Sequence, residues 1–304
     1  MKEIIQSAIN ISTSHPEVVE KIVVSLRSLP GVLLADTSSD VDHNRTVVTL
    51  LGNGEGLERA VIEIFRVAES DIDISQHRGE HPRIGAVDVI PFTPWQGVDM
   101  EGCKKLAWRV GERVAQLFEV PVYFYAEAAR VPAHRHLSFL RRGGYELLRY
   151  EIWRVPERHP DLGPARVHPT LGAVAIGARP PLLAFNVNLD TPHLHVAQTI
   201  AKKLQGEESA LRYVRAIAVS LRSRGYTQVA MNILDFRKNS LLQVFEFVKL
   251  EAQRFGVRVR GAEIIGLVPV EALLEVVGIS LAIPHFSPNQ VLEYHLAWEG
   301  EKIF

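Results

Sequence analysis

The nine residues His77-Arg78-Gly79-Glu80-His81-Pro82-Arg83-Ile84-Gly85 bring together two histidines, a glutamate and two arginines. Such a density of ionisable groups suits two chemistries. One is metal ligation, because His77-x-x-Glu80-His81 has the spacing of an inverted zinc-peptidase motif. The other is proton transfer, for which an imidazole titrating near neutrality is fitted. A plain charged surface loop is the third reading. The metal reading needs a helix, since two histidines four apart meet on one ion only from a shared helical face. Gly79 costs a helix interior about 1 kcal/mol relative to alanine, and Pro82 pushes His81 toward extended backbone. The stretch therefore reads as a loop, placed between an amphipathic helix ending near residue 71 and a strand over 86–92, and acid/base work is favoured over zinc.

Other polar groups gather in three places. Residues 36–45, read as a loop after the second strand, carry Asp36, Asp40, Asp42, His43 and Arg45; a solvated turn and a cleft-lining loop both fit. The opening stretch supplies Asn10 and Ser12. Residues 155–169 hold Arg158, His159, Asp161, Arg166 and His168 among four prolines, as a linker or a ligand loop. Loops at one edge of a two-layer sheet converge, so all three are placed to line one cleft. Asn186 and Asn188 fall on one side of a strand because strand side chains alternate. They either tie neighbouring backbone or bind the polar edge of a ligand. With Gln228, Asn232, Arg237 and Lys238 they would suit a ligand bearing a hydrogen-bonding ring and carboxylates.

The elements that must position these groups follow from hydrophobic periodicity. Strand 3–11, a helix from residue 16 capped by Ser14, strands 32–35 and 46–51, helix 57–70 and strand 86–92 give a split β-α-β order. Strand 182–189, helix 194–204, strands 213–221 and 228–234, helix 241–255 and strand 257–267 repeat it without residue-level self-similarity. Between them lie an extra helix over 99–118 and a strand over 120–125. The fold class is thus α+β, with two ferredoxin-like βαββαβ subdomains plus that extra helix and strand. The 304 residues carry a net charge of −1, with 47% hydrophobic and 23% charged residues. Nothing there points to nucleic acid or a membrane. No secretory signal opens the chain, so a cytoplasmic location is expected. The one cysteine, Cys103, excludes an internal disulfide and reads as a buried structural thiol.

The strings His43-Asn44-Arg45-Thr46-Val47-Val48, residues 77–86, Pro121-Val-Tyr-Phe-Tyr125, Asp161-Leu-Gly-Pro164, Gly177-Ala-Arg-Pro180, Ala184-Phe-Asn-Val-Asn-Leu189 and Gly266-Leu-Val-Pro269 resemble those of glutamate formimidoyltransferases. The likeness runs in register to about residue 274. It implies transfer of a formimino group from N-formimidoyl-L-glutamate to N5 of tetrahydrofolate, the co-substrate, without a metal. It also implies two subdomains, taken as 1–178 and 179–304, a folate cleft between them, and a homodimer. A separate cyclodeaminase is then expected as a downstream partner.

By motif position the resemblance puts the catalytic histidine on His81, with Glu80 beside it to orient the ring or raise its basicity. Arg83 would hold a substrate carboxylate, and Arg45 belongs to the same binding set. The folate loop maps onto Gly163 to Gly172, including Pro164, Arg166 and His168, with Arg179 adding charge for a glutamyl tail. Asn186 and Asn188 join the ligand-binding set, and Asp36, with Asp40 and Asp42, is placed to stabilise a cationic amidine. The chain departs from the family where Ala8-Ile-Asn-Ile-Ser-Thr-Ser14 lacks a Glu-Gly end, and where Ala230 replaces a common serine. Formyl transfer between 5-formyltetrahydrofolate and glutamate uses the same proton logic and stays open, as does a non-catalytic folate-binding protein.

Overall fold

At the three- and four-residue spacing of an amphipathic helix, Leu57, Ala60, Val61, Ile64, Phe65 and Ala68 recur on one face, and all are buried. The same rhythm in Cys103, Leu106, Ala107, Val110, Val114 and Phe118 builds a second long helix. A computed structural model describes residues 3–205 and 210–291, apart from the Arg222 side chain. The chain divides into two compact units, Met1–Pro181 and Leu182–Phe304.

The first unit holds a six-stranded sheet in the order β2-β3-β1-β4-β6-β5. Its strands are β1 (Ile4–Ile11), β2 (Val32–Asp40), β3 (Arg45–Gly52), β4 (Val87–Gln96), β5 (Val122–Ala126) and β6 (Val174–Ala178). The first four strands, antiparallel to their neighbours, have the ferredoxin-like order, and β6 and β5 extend the sheet in parallel beyond β4. Helices α1 (Pro16–Arg27), α2 (Gly54–Asp71) and α3 (Met100–Phe118) share one apolar core with Ile5, Ile9, Val48, Ile90, Phe92 and Phe124. Asn53 and Asp99 cap α2 and α3, each accepting a backbone N–H three residues on. Cys103 is buried in that core, and loss of solvation pushes its thiol up to about 12, as befits a structural residue.

A second, smaller core packs Val89, Tyr123, Tyr125 and Ala175 against Leu140, Leu148 and Ile152 of the segment carrying α4 (Leu137–Leu140) and α5 (Gly144–Glu151). Arg158 organises this segment from a fully buried position. Its guanidinium donates to the carbonyls of Phe139 (2.5 Å), Leu140 (3.0 Å) and Arg142 (2.9 Å), and its Nε lies 3.0 Å from Glu151. Tyr123 donates its hydroxyl proton to the Arg158 carbonyl at 2.6 Å. The buried His134 ring lies between an Asp161 carboxylate oxygen (2.9 Å) and the Glu157 carbonyl (3.0 Å).

The second unit is a four-stranded antiparallel sheet ordered β10-β7-β9-β8. It comprises β7 (Leu183–Leu189), β8 (Val214–Leu221), β9 (Tyr226–Ile233) and β10 (Val259–Ile265), with α6 (Leu194–Leu204) and α7 (Leu241–Arg254) and a terminal α8 (Val270–Ser280). Phe185, Val187, Leu189, Val229 and Met231 meet Ile200 and Val248 in its core. Ser240 and Gln243 form a reciprocal capping box at α7.

Several sequence expectations need correction. Residues 36–40 are not loop: after a bulge between Leu34 and Asp36 they continue β2, pairing Asp36 with Thr49 and Asp40 with Arg45. Their polarity reflects an edge strand, and Ser39 reaches Thr46 hydroxyl to hydroxyl at 2.8 Å. Strand β6 was not foreseen; its run Val-Ala-Ile-Gly-Ala is buried throughout, as a central parallel strand requires, and carries no alternation. Helices α4, α5 and α8 were also unforeseen. Ser14 does not cap α1; His15 holds the cap position, and Ser14 instead bonds Asn44.

Replacing Arg158 with methionine strands Glu151 and three carbonyls in an apolar setting. The expected loss is about 3–5 kcal/mol, read as a lower urea midpoint for unfolding.

Candidate active site

The loop over residues 77–86 is fixed from behind by backbone. Ser12 donates through its N–H to Ala86 (2.8 Å) and through its hydroxyl to Gly85 (2.6 Å). Ala86 donates to Leu171 (2.9 Å), and Ala173 to Ile84 (3.0 Å). Gly172 faces Gly85 in this ladder at φ +73°, where a Cβ would come within 2.5 Å of the Ile84 carbonyl. From the front, the β2–β3 turn holds the loop. Glu80 donates its N–H to Asp42 (3.1 Å), and the Asn44 amide donates to Arg78 (2.9 Å) while accepting from the Ser14 N–H (3.0 Å). Asn44 stands at φ +44°, which its side chain tolerates better than most. The opening stretch and the β2–β3 turn therefore converge on the histidine loop, whereas the third segment expected there, residues 155–169, approaches it only at its end, where His168 pairs with Gly172.

The two histidines of the motif have separate tasks. His77 is buried, and both ring nitrogens are engaged: Nδ1 accepts from Arg83 Nε at 2.9 Å and Nε2 donates to the Asn44 carbonyl at 2.8 Å. No helix joins it to His81, so the paired-ligand geometry does not form. His81 places Nδ1 2.8 Å from the Pro82 carbonyl, which makes Nδ1 the protonated nitrogen and leaves the Nε2 lone pair as the base. Its ring lies 5.7 Å from that of His43. Desolvation first, then the charges of Arg45 and Arg141, hold the imidazole well below its ordinary value of 6.5.

Cations and carboxylates are unequally shared around this ring. Arg141 pairs with the buried Asp88, whose other oxygen accepts the Ile84 N–H at 2.8 Å. Arg45 interacts with Arg141, Asp88 and Asp40, and burial beside a like charge lowers its guanidinium to about 10. Arg83 is held by Glu146 through two hydrogen bonds, at 2.8 and 2.6 Å, as well as by His77. Arg179 donates to the Pro180 carbonyl at 3.0 Å, and its charge acts on the buried Tyr125 hydroxyl. Glu80 is exposed beside His81.

The remaining sequence candidates lie elsewhere. His168 closes a tight turn by exchanging backbone hydrogen bonds with Gly172, and its Nδ1 accepts from the Leu171 N–H at 3.0 Å. Gly163, Pro164 and Arg166 lie in the preceding segment, with Gly163 and Arg166 exposed. Asp36 lines a shallow groove with Val19 and Val23 of α1. In the second unit Asn186 and Asn188 are nearly buried; Asn188 donates to Glu263 (2.8 Å) and accepts from Gln228 (2.8 Å).

Sequence reading missed Arg141, Asp88, Glu146 and Tyr125. Asp88 had a legible signal, a lone carboxylate inside the apolar run Val87-Asp88-Val89-Ile90, since a buried charge must find a partner. Arg141 had none. Among the described residues no group of three or more histidine, cysteine or carboxylate side chains is placed to share a metal ion.

The His81 Cε1 proton resonance should titrate with a midpoint well below 6.5. Arg45→Met removes one opposing charge and should raise that midpoint, while desolvation keeps it from reaching the free-imidazole value; an unmoved midpoint would refute the electrostatic coupling.

The profile of the formiminotransferase domain, N-terminal subdomain, matches residues 4–179, and that of the formiminotransferase domain matches residues 184–281. A Streptococcus pyogenes protein named glutamate formimidoyltransferase is 39% identical, over 97% of this chain and 99% of its own length. A Thermoplasma acidophilum protein of the same name is 37% identical, over 90% and 91%. A mouse formimidoyltransferase-cyclodeaminase is 37% identical, over 90% of this chain and 52% of its own. The chain belongs to the formiminotransferase family.

Proposed function

We propose that the protein moves the formimino group of N-formimidoyl-L-glutamate to N5 of tetrahydrofolate, releasing L-glutamate, with His81 as the proton carrier. The observation that carries this reading is an imidazole held well below its ordinary pKa, with Nδ1 turned to the Pro82 carbonyl and Nε2 left as the basic nitrogen, in a chain near-coextensive with relatives named for that reaction.

The chemistry asks for one group that first accepts and then gives a proton. N5 attacks the amidine carbon, and His81 Nε2 takes the N5 proton as the tetrahedral intermediate forms. The amino nitrogen of glutamate is a poor leaving group as an anion, so the imidazolium returns the proton to it as the C–N bond breaks. Glu80, beside His81, is assigned to orient the ring or raise its basicity, and the acidic groups Asp36, Asp40 and Asp42 to the cationic amidine. Arg45, with Arg83, is assigned to substrate carboxylates, although the present grip of Glu146 on Arg83 must loosen for that. Tetrahydrofolate is assigned to the segment Gly163 to Gly172, through Pro164, Arg166 and His168, with Arg179 toward its glutamyl tail. In the second unit Asn186 and Asn188 are assigned to the hydrogen-bonding edge of a ligand ring.

The same reading needs tetrahydrofolate as co-substrate and no metal. It takes residues 1–178 and 179–304 as the two subdomains of a cytoplasmic homodimer, with ammonia released afterwards by a cyclodeaminase. These points rest on the family resemblance. No helix among the described residues is long and apolar enough to cross a membrane.

Turnover is to be measured with tetrahydrofolate plus N-formimidoyl-L-glutamate, beside 5-formyltetrahydrofolate plus L-glutamate. Activity with the first pair, reduced about 10²–10⁴-fold in His81→Ala with folate affinity retained, is the expected result. Turnover of the second pair alone would make the protein a formyl transferase, and an unimpaired His81→Ala variant would remove the proton-transfer role. Arg166→Ala should weaken folate binding more than it lowers the rate at saturation; unaltered affinity counts against the loop assignment. Because neutral His81 is the form that accepts the N5 proton, kcat/KM should persist as pH falls through 6.5 and decline only below it.

A further inference from the structure

His77 is the histidine of the motif that the proposed proton transfer leaves unused, and both of its ring contacts have a fixed sense. A guanidinium has no acceptor, so Arg83 Nε donates to Nδ1 at 2.9 Å; a carbonyl has no donor, so Nε2 gives its proton to Asn44 at 2.8 Å. Only the neutral Nε2–H tautomer satisfies both. Arg83 is itself held in orientation: its two Nη atoms donate to the Glu146 carboxylate at 2.8 and 2.6 Å, and one of them reaches the His77 carbonyl at 3.3 Å. A directed chain of bonds thus runs from α5 through Arg83 and His77 to the β2–β3 turn. Gly79 lays bare backbone against the ring, where a Cβ would lie 2.9 Å from His77 Cε1 and 2.3 Å from the His43 carbonyl.

We infer that His77 is the positioning residue of the transfer: locked as the neutral Nε2–H imidazole between Arg83 and Asn44, it fixes the loop that presents His81, and a proton on its Nδ1 releases that loop. What is positioned rests on the proposed reaction, whereas the lock follows from hydrogen-bond sense alone. A second ring proton would set two N–H groups against each other across 2.9 Å, beside a guanidinium that keeps its own charge. Arg83 must then leave, and the tie to α5 goes with it. The bonds from Asn44 to Arg78 and from Glu80 to Asp42 join the same two segments, so loss of the His77 tie loosens the seat of His81. The Arg83 fork can trade Glu146 for a substrate carboxylate without disturbing its Nε, and the lock holds in the occupied site.

The charged groups acting on the ring come from three elements. Arg83 in the loop opposes a proton, while Asp88 of β4 and Glu146 of α5 favour it; burial is the largest influence and keeps the imidazole below its ordinary 6.5. An unfolded His77 takes its proton near 6.5 and the folded one only at lower pH. The lock is therefore complete above 6.5 and weakens as pH falls below it. Acid then acts on the reaction twice, directly through His81 and through the loop by way of His77.

The test combines ring-nitrogen NMR of the intact protein with the pH dependence of kcat in wild type, His77→Gln and His77→Leu. At neutral pH the His77 ring is expected as the Nε2–H tautomer. A glutamine amide keeps one acceptor and one donor and takes no proton in this range, so His77→Gln should hold kcat within about 3-fold at neutrality while its acid limb flattens from a fall steeper than one proton to the single-proton fall of His81. Leucine offers neither contact, so His77→Leu should lower kcat about 10²-fold, the cost of misplacing a catalytic group by about 1 Å, with the KM for tetrahydrofolate little changed. The His81 ring resonances give a readout independent of turnover, and in His77→Leu they should shift. An Nδ1–H or doubly protonated His77 at neutral pH overturns the lock; an acid limb identical in wild type and His77→Gln, or unmoved His81 resonances in a folded His77→Leu, overturns the positioning. If His77→Leu does not fold, the wild-type spectrum and the His77→Gln profile decide. A locked His77 in wild-type protein that transfers neither group keeps the lock and discards the proposed reaction.

Discussion

Everything near the candidate site hangs on one buried carboxylate, Asp88. One oxygen accepts the Ile84 N–H and so ties the histidine loop to the strand that follows it; the other takes Arg141 and so ties the helical segment of residues 132–158 to the sheet. At 1% exposure such a group is sustained only by donors in contact. Its charge also offsets, in part, the guanidiniums of Arg45 and Arg141. Position of the loop, attachment of the covering segment and the field at His81 thus share one origin.

The histidine loop itself is held by a different means. Its exit is laid into a ladder with Ser12, Leu171 and Ala173, where Gly85 and Gly172 let two backbones approach more closely than side chains would permit. Its entry is pinned by His77, whose two ring nitrogens bridge Arg83 and Asn44. Rigid support on both sides leaves His81 with little freedom except rotation of its own ring, and the Pro82 carbonyl selects the tautomer. Preorganisation of this kind lets a single imidazole serve as base and then as acid without moving.

How much of this was legible in the sequence depends on the range of the interaction. Helices α2, α3, α6 and α7 show in the spacing of their apolar residues, and Gly79 with Pro82 tells that the histidine pair is not helical; these are local effects. Strand β6 could not be told from any short apolar run, because a strand buried on both faces has no alternation to detect. The polar half of β2 looked like loop for the opposite reason, since an edge strand can be hydrophilic on either side. Arg141 lies 53 residues from the carboxylate it meets, and no pattern within its own helix marks it. His77 and His81 look equivalent as residue types, and only the tertiary partners divide them into a buried strut with both nitrogens engaged and a ring held by Nδ1 alone.

The two units run the same strand order, yet their chemistry diverges. In the first, the polar residues of the sheet end are guanidiniums and imidazoles interleaved with the carboxylates of Asp40 and Asp88. In the second, they are amides: Asn188 and Gln228 bond each other and share Glu263, while the Gln228 carbonyl oxygen is buried without a partner. An end that sets imidazoles among paired charges suits proton transfer, whereas an amide and carboxylate cluster with a spare acceptor suits a neutral ring that donates N–H groups. A duplicated topology therefore does not carry a duplicated site. The βαββαβ order supplies two frames, and what each can bind is decided by a few polar residues on strands that the fold leaves free to vary.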